Sequence, residues 1–453
     1  MAPVLDSIFK AYDIRGTVPD QLDADVCRRI GAAFARFAES DRVLVARDMR
    51  PSGEELVSAF AEGATGQGVD VIDLGLASTD LIYFAAGHLD APGAMFTASH
   101  NPAQYNGIKL CLSGARPVGQ DTGLAKVKQW AAEGLDPLEG GQGSVSRQDL
   151  LGVYADHVRS FVDVGLLAPL RLVADTANGM GGLVAPAVFE GLPFDVDYLF
   201  PELDGTFPNH PADPIQRENL RDLQAAVLER EADVGLAFDG DADRVFLVDE
   251  RARPLSGSLT TGLVATGMLA KHSGATILYN LICSKAVPEI IAEHGGKGVR
   301  TRVGHSFIKQ TMAETGAVFG GEHSGHYYFR ENYRADSGLV AALVVLEQLS
   351  VAGVTLSELV APLDRYANSG EINTPVDDPE ATIDHVAEAF ADADADQDRL
   401  DGLTVDLGSW WFNLRPSNTE PLLRLNLEAP TEEECEARTA DVVELIRQVG
   451  GDR

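Results

Sequence analysis

Short apolar runs alternate with longer amphipathic segments along most of the chain, and this alternation limits the fold more than any other feature. The first round has strands predicted at 42–47, 69–74 and 94–98, with helices predicted from Ser52 and Thr79. The second round runs from 170 to 249, and the third from 276 to a helix that begins near Asp336. Strands that alternate with helices form βαβ units and mostly parallel sheets. The pattern therefore predicts three related α/β units.

The pattern changes after Gly370, where strands predominate and predict a smaller α+β unit. A chain of 453 residues is too long for one core, because domains usually have about 100–150 residues. We expect three α/β domains with mixed, mostly parallel sheets and a smaller C-terminal α+β domain, arranged around a central cleft. The predicted domains are 1–145, 146–253, 254–368 and 369–453.

Composition excludes several classes of protein. The formal net charge of −33 argues against a nucleic-acid partner, since phosphate backbones require a basic surface. The four cysteines are scattered without a CxxC pair, so neither a zinc site nor a disulfide framework is indicated. The first ten residues lack an apolar leader core, and the longest apolar runs are too short to span a bilayer. We expect a soluble cytoplasmic protein with no membrane partner.

Three times, an apolar strand runs into a polar loop. The strands end in "SHNP" at 99–102, "DGDADR" at 239–244 and "GEHSGH" at 321–326. Ligands of open α/β sheets bind at the carboxyl ends of strands, so the three loops could face one cleft. Ser99 in the first loop is either a capping serine or a nucleophile that carries a phosphoryl group. Taken alone, its octapeptide favours the cap.

The "DGDADR" loop is the strongest chemical signal. Asp239, Asp241 and Asp243 alternate between two apolar runs, and their oxygens suit a hard cation such as Mg²⁺. A solvated turn is the alternative, but three close carboxylates repel one another unless positive charge lies between them. An EF-hand is excluded because Arg244 replaces its glycine and the flanks read as strands.

Three other motifs carry polar side chains, and each also has a plain structural interpretation. Glu322 and Ser324 could bind vicinal hydroxyls or belong to a polar turn. The "RPSNTEP" segment at 415–421 could cradle an anion or simply join two strands. His305 could shuttle protons, although a lone histidine is more often structural. The "NGMGG" loop at 178–182 is no dinucleotide fingerprint, because Val184 takes the place of the third glycine.

Together these motifs indicate a site for a phosphorylated polyol. They also resemble those of the α-D-phosphohexomutases, within them the phosphomannomutase/phosphoglucomutase group and especially its bacterial phosphomannomutases. The shared motifs occur in the family's order over nearly the whole chain: "KAYDIRG", "TASHNP", "YNGIK", "DGDADR", "GEHSGH" and "RPSNTEP". One departure is minor: the family has a proline before the helix that starts near Thr79, and this chain has "LASTD".

The resemblance implies a role for each motif. Ser99 would be a phosphoserine, and Arg244 would contact its phosphate. One Mg²⁺ per chain would be held by the serine phosphate and the acidic loop, that is by Ser99, Asp239, Asp241 and Asp243. The candidates for acid–base work are Lys109, His305 and, in support, His326. The substrate would be bound by Tyr12, Arg15, Glu322, Ser324, Arg415, Ser417, Asn418 and Thr419. Lys285, one of only eight lysines in the chain, is a further candidate for substrate binding.

The resemblance also implies a reaction. Phosphorylated Ser99 would donate to mannose or glucose 6-phosphate or 1-phosphate, and the hexose 1,6-bisphosphate would turn over and return its other phosphate. The product would feed GDP-mannose or related nucleotide-sugar synthesis, and the protein would be a monomer or homodimer. The alternatives are a phosphoglucosamine mutase, a metal-dependent phosphatase with a serine nucleophile, and a non-catalytic sugar-phosphate sensor. The sensor fits least, since every chemical position is filled.

Overall fold

The computed structural model describes residues 2–139, 142–391, 393–417 and 422–450, and these residues form four sheets. The first domain contains α1 (Ala2–Ile8), β1 (Ile14–Thr17), α2 (Ala24–Ala38), β2 (Arg42–Arg47), α3 (Gly53–Gly66), β3 (Asp70–Leu76), α4 (Thr79–His88), β4 (Gly93–Phe96), β5 (Tyr105–Leu112), β6 (Arg116–Pro117), α5 (Leu124–Glu133) and β7 (Val145–Arg147). Its sheet has the order β1-β5-β4-β2-β3-β7, with β6 beside β5. The central strands β4, β2 and β3 are parallel, whereas β5 is antiparallel to β4.

The second and third domains repeat this plan with fewer strands. The second contains α6 (Leu151–Arg159), β8 (Leu170–Asp175), α7 (Gly181–Phe189), β9 (Phe194–Leu199), α8 (Arg221–Glu229), β10 (Val234–Phe238) and β11 (Val245–Asp249). The third contains α9 (Gly257–Lys271), β12 (Thr276–Asn280), α10 (Ala286–Glu293), β13 (Lys297–Thr301), α11 (His305–Thr315), β14 (Phe319–Gly321), β15 (Tyr327–Phe329), α12 (Gly338–Ala352) and α13 (Leu356–Val360). Their sheet orders are β11-β10-β8-β9 and β13-β12-β14-β15.

The fourth domain is smaller and antiparallel. It contains β16 (Ala367–Pro375), α14 (Pro379–Ala389), β17 (Asp396–Asp398), β18 (Leu403–Asp406), β19 (Trp411–Pro416), β20 (Leu422–Ala429) and α15 (Glu432–Gly450). Its sheet order is β16-β20-β19-β18-β17. The predicted fold class, with three mixed α/β domains and one smaller α+β domain, is confirmed.

The same hairpin occurs in each of the first three sheets. A buried strand with a parallel neighbour turns back into an antiparallel partner, as β4 into β5, β10 into β11, and β14 into β15. The connecting loops are the three polar loops of the sequence. Strands β4, β10 and β14 are buried on both faces, so polar side chains first become possible where these strands end.

Helix starts follow ordinary capping chemistry. Ser78, Ser256 and Ser337 each accept a backbone N–H bond in the first turn of α4, α9 and α12, as N-cap serines do. Helix α12 is buried from Gly338 to Glu347 and lies in a core that the first three domains share. Within the described ranges, no helix combines the length and apolar character needed to cross a membrane.

Candidate active site

Ser99 lies in the loop between β4 and β5, where the chain has just left the sheet. Its φ of 49° is in the left-handed region, which is uncommon for a residue other than glycine. Its N–H donates to Thr97 Oγ1 at 2.9 Å, and its Oγ donates to Asp239 Oδ2 at 2.8 Å. The Ser99 hydroxyl of the first domain therefore binds the acidic loop of the second domain, and it does not cap a helix.

The acidic loop between β10 and β11 brings its three carboxylates together. One oxygen from each of Asp239, Asp241 and Asp243 lies within 4.8 Å of the others, and all three side chains are buried. Among the described residues, Asp241 Oδ1 and Asp243 Oδ1 have no hydrogen-bond partner. A buried carboxylate oxygen that accepts no hydrogen bond lowers the stability of the fold. A bound cation would compensate for this, and oxygen ligands such as these suit a hard cation such as Mg²⁺.

Lys109 on β5 neutralises part of this charge. Its Nζ lies 2.8 Å from both Asp241 Oδ2 and Asp243 Oδ2. Burial opposes its positive charge, but the two carboxylates outweigh burial and raise the pKa of Lys109 well above its usual range. Burial alone would raise the pKa of Asp241, but the ammonium of Lys109 outweighs burial and lowers this pKa. Burial, together with repulsion from Asp241 and Asp243, raises the pKa of Asp239 to about 7, although Arg244 and Lys109 oppose the rise.

Arg244 follows the acidic loop and contacts the serine loop. Its Nε donates to Asp239 Oδ2 at 2.9 Å, and its Nη2 lies 2.6 Å from His100 Nδ1. The guanidinium, together with burial, holds the pKa of His100 well below its usual value. His100 is therefore neutral at physiological pH. Its ring nitrogen also lies 3.2 Å from Ser99 Oγ.

His326, in the loop between β14 and β15, borders the same acids. Its Nδ1 lies 2.8 Å from Asp336 Oδ2 and 3.9 Å from Asp243 Oδ1. Burial lowers the pKa of His326, but these carboxylates outweigh burial and raise it. Behind Asp336, the ammonium of Lys309 lies 3.2 Å from Oδ1 and is almost completely buried.

Glu322 and Ser324 lie in that same loop. The Glu322 carboxylate is buried, and it accepts bonds from the Gly304 N–H at 3.1 Å and Tyr328 Oη at 2.8 Å. Ser324 is two residues further along and half-buried. Asn280 Nδ2 also donates to the Glu322 carboxylate at 3.4 Å, and each carboxylate oxygen has lone pairs for further donors.

A cavity of about 500 Å³ lies beside this loop, lined by the first, third and fourth domains. Tyr12 lines it from the first domain, and its ring meets Phe307 edge-on at 6.2 Å. Arg415 lines it from the fourth domain, with Nη2 2.9 Å from Glu371 Oε2. Ser417 follows the end of β19 and accepts from Arg424 Nη2 at 3.5 Å.

The remaining predicted residues fall in different places. Arg15 Nη1 donates to Asn101 Oδ1 in the serine loop at 2.6 Å. Lys285 instead joins the third domain to the fourth, with Nζ 3.1 Å from Asp406 Oδ1. His305 begins α11, but its side chain lies outside the described part of the structure. Asn418 and Thr419 also lie outside the described residues.

No sequence motif gave His100, Asp336 or Arg50 a role. His100 was visible as the neighbour of Ser99, and Asp336 as a polar residue at the start of a helix. Arg50 donates to the backbone of the serine loop, yet no local motif marks it.

Comparison with known proteins agrees with this geometry. Sequence models of the phosphoglucomutase/phosphomannomutase family match in chain order: alpha/beta/alpha domain I at 6–134, domain II at 152–253, domain III at 256–366 and the C-terminal domain at 371–445. Phosphohexose mutases of Xanthomonas campestris pv. campestris are 41% identical over 97% of this chain and 99% of theirs. The phosphomannomutase of Salmonella typhimurium is 40% identical over 97% of this chain and 99% of its own.

A solved structure extends the likeness to the whole fold. The phosphoglucomutase/phosphomannomutase family protein of Burkholderia thailandensis superimposes with a TM-score of 0.88 at 33% identity, over 98% of this chain and 97% of its own. Fold and site thus define an isomerase that transfers a phosphoryl group, a phosphohexomutase. The chain belongs to the phosphoglucomutase/phosphomannomutase family, as its motifs predict.

Proposed function

We propose that the chain is a phosphomannomutase that also acts on glucose phosphates, and that it works through a phosphorylated Ser99. The observation that carries this proposal is the contact between Ser99 Oγ and Asp239 Oδ2 at 2.8 Å. This contact joins the hydroxyl of Ser99, a residue with an uncommon backbone conformation, to a buried acidic loop. The names of relatives about 40% identical over 97% of the chain support the choice of mannose phosphates.

The reaction consists of two phosphoryl transfers. The phosphoryl group leaves Ser99 Oγ for the free hydroxyl of a hexose 6-phosphate or 1-phosphate, whose proton passes to a nearby base. The resulting hexose 1,6-bisphosphate turns over within the site, and its other phosphate returns to Ser99. The α-hexose 1-phosphate formed is the kind of compound that nucleotidyl transfer uses, as in GDP-mannose synthesis.

The chain's cationic groups are arranged to balance the charge of the transferred group. Arg244 and Lys109 both contact the acidic loop, and Arg244 is close enough to Ser99 to donate to a phosphate on its Oγ. Asp239, Asp241 and Asp243, with the serine phosphate, would hold Mg²⁺, which supplies further positive charge for the phosphoryl oxygens. Lys109 and His305, with His326 in support, are the candidates for moving the hydroxyl proton.

Binding of the sugar is divided between two domains. Glu322 and Ser324 of the third domain would bind the O3 and O4 hydroxyls, which stay central when the sugar turns over. Arg415 and Ser417, with Asn418 and Thr419, would hold the phosphate that is not transferred. A cradle on a separate domain suits this reaction because it must accept either end of the same bisphosphate.

Replacing Ser99 tests the proposal. The Ser99→Ala variant should lose turnover of mannose 1-phosphate by more than about 10⁴-fold, since the nucleophile is gone, while still binding the sugar phosphate. Ser58→Ala, on the exposed face of α3, is the matched control and should keep full activity. Wild-type protein treated with glucose 1,6-bisphosphate should give a phosphopeptide that contains Ser99.

Three results would contradict the proposal. Full activity of Ser99→Ala would exclude the phosphoserine. Steady release of inorganic phosphate without isomerisation would indicate a phosphatase. Faster turnover of glucosamine 6-phosphate than of mannose 6-phosphate would indicate a phosphoglucosamine mutase.

A further inference from the structure

Arg50 is a buried arginine at the foot of the serine loop. It lies between β2 and α3, and only 1% of its surface is exposed. Asp48 is equally buried and holds it from one side, with Oδ1 accepting the Arg50 N–H at 3.0 Å and Oδ2 accepting Nε at 3.2 Å. An arginine this deep in a domain is unusual unless all its donors are paired.

The rest of the guanidinium is directed at the backbone of the serine loop. Nη2 donates to the carbonyls of Ser99 at 2.9 Å and Asn101 at 2.7 Å. Nη1 donates to the carbonyls of Pro102 and Tyr105, both at 2.9 Å. With Nε on Asp48, all five N–H donors of the side chain have an acceptor.

This pairing fixes the shape of the loop. Four carbonyls spread over seven residues converge on one planar group, and its planar fork of N–H donors can bind all four only in one arrangement. The first of the four belongs to Ser99, whose φ of 49° requires support from its surroundings. A lysine has three donors and no plane, so it could satisfy the charge of Asp48 but not the four carbonyls.

The second domain closes this arrangement from outside. The Phe207 ring lies 5.2 Å from the Arg50 guanidinium carbon. The backbone at Gly205 comes so close that a Cβ there would lie 2.5 Å from Arg50 Cα. The domain that provides Asp239 thus also covers the arginine that shapes the serine loop.

We propose that Arg50 is a positioning residue for phosphoryl transfer, which holds the backbone of residues 99–105 so that Ser99 Oγ faces Asp239. Its kinetic consequence rests on the proposed function, whereas its effect on the loop does not. Arg50 acts through hydrogen bonds to the loop backbone. None of the contacts described above joins it to a residue proposed to bind the substrate.

The test compares two arginine-to-lysine substitutions. Arg50→Lys should lower kcat about 100-fold, as small displacements of reacting groups do, and should leave KM within about twofold because the sugar and phosphate cradles are untouched. Arg159→Lys is the matched control: Arg159 also donates to backbone carbonyls, those of Ala187, Val188 and Glu190, but far from the site. It should change neither constant.

Hydrogen exchange gives a readout that needs no turnover. Within the loop, the Asn101 N–H donates to the Ala98 carbonyl and the Tyr105 N–H to the Pro102 carbonyl, both at 3.0 Å. Both amides should exchange at least about tenfold faster in Arg50→Lys, while the amides of α2 and α3 keep their wild-type rates. Asp48→Asn, which keeps the four carbonyl bonds, should show the same change more weakly and serves if Arg50→Lys does not fold.

Each outcome decides the matter. Unchanged loop exchange, or exchange that rises throughout the first domain in both variants, would overturn the proposal, since Arg50 would then support the domain as a whole. An equal loss of kcat in Arg159→Lys would overturn it as well. If wild-type Ser99 accepts no phosphoryl group, the proposed function fails, yet loop-confined exchange would still establish the positioning role.

Discussion

The contact between the serine loop and the acidic loop depends on a residue that carries no chemistry. Gly240 follows Asp239, and a Cβ on it would lie 2.4 Å from the Ser99 carbonyl oxygen. The two loops can therefore approach only if this position lacks a side chain. The glycine of "DGDADR" sets the distance between Ser99 and the three acids.

Gly240→Ala should therefore impair catalysis without unfolding the protein. The added methyl must push the two loops apart by a few tenths of an ångström or more, and we expect kcat to fall about 100-fold. Gly152→Ala is the control, because in the described part of the structure nothing lies within 4 Å of its Cβ position. Steady-state kinetics with mannose 1-phosphate measure the effect, and equal activity of both variants would refute it.

The buried oxygens of the acidic loop predict how the protein responds to Mg²⁺. Binding to the folded chain raises its stability, so Mg²⁺ should raise Tm in wild-type protein. Asp241→Asn removes a charged ligand and should weaken Mg²⁺ binding at least about tenfold. The control Asp384→Asn changes a surface carboxylate paired with Arg399. Thermal scans over a Mg²⁺ titration decide this, and an unchanged midpoint in Asp241→Asn would contradict it.

The sequence predicted residues whose chemistry is local and missed those whose role depends on distant parts of the chain. Asp239, Asp241 and Asp243 stand in one loop, so spacing alone brings their carboxylates together. Arg50 gains its meaning from carbonyls about fifty positions away, and Asp336 from contact with His326. Backbone carbonyls carry no sequence signature, so a side chain that binds them cannot be recognised by pattern.

At the scale of elements, the first three domains use one hairpin three times. Each places its polar loop at the end of a strand buried on both faces, which is why the apolar runs predicted the loop positions well. Helix α8 is preceded by a 3-10 turn at Arg217–Leu220 and begins only at Arg221. Helix α2 was not predicted, although it contacts α3 closely and its glycine at 31 allows that approach.

Three helices meet at one buried carboxylate. Asp80, in the first turn of α4, accepts bonds from Tyr154 of α6 and from Ser337, the N-cap of α12. Ser78, the N-cap of α4, also donates to it. Burial raises the pKa of Asp80 to about 7, although these hydroxyls oppose the rise.

This carboxylate predicts a pH dependence of stability. In the unfolded chain its pKa is near 3.9, so between about pH 4 and pH 7 the folded state binds a proton that the unfolded state does not. The resulting stabilisation is complete below about pH 4 and is lost as pH rises to about 7. Asparagine does not titrate, so Asp80→Asn should not show this loss. The free energy of unfolding of Asp80→Asn minus that of the wild type should therefore rise by up to about 4 kcal/mol as pH increases from about 4 to about 7. Urea denaturation measures it, and a constant difference would contradict it.

At the scale of the molecule, the excess of acidic residues acts through their mutual repulsion. A net charge of −33 destabilises a compact state, and salt screens it, with a Debye length of about 30 Å at 0.01 M and about 3 Å at 1 M. Tm should rise by at least about 2–4 °C over this range, the shift that about 1 kcal/mol gives a domain of 150–250 residues. Thermal scans in KCl and in choline chloride should coincide; a flat or falling Tm would contradict the prediction.

The assembly of the domains was the part least accessible to sequence reasoning. Lys285 illustrates this, because nothing in its sequence surroundings indicates that its ammonium pairs with Asp406 of the fourth domain. Which domain faces which depends on many side chains that meet only after each domain has folded. Periodicity reports the inside and outside of single elements and carries no information on such contacts.

The cavity beside the loop that carries Glu322 and Ser324 has a consequence for inhibitor design. Because Tyr12, Phe307 and Arg415 line it from three different domains, a compound that fills its volume of about 500 Å³ would hold those domains together. Such a compound need not imitate a sugar phosphate, which is a highly charged and poorly permeable template. It would hold the domains of one chain in a fixed arrangement. Its selectivity among related enzymes would come from the contacts between their domains rather than from the chemistry that they share.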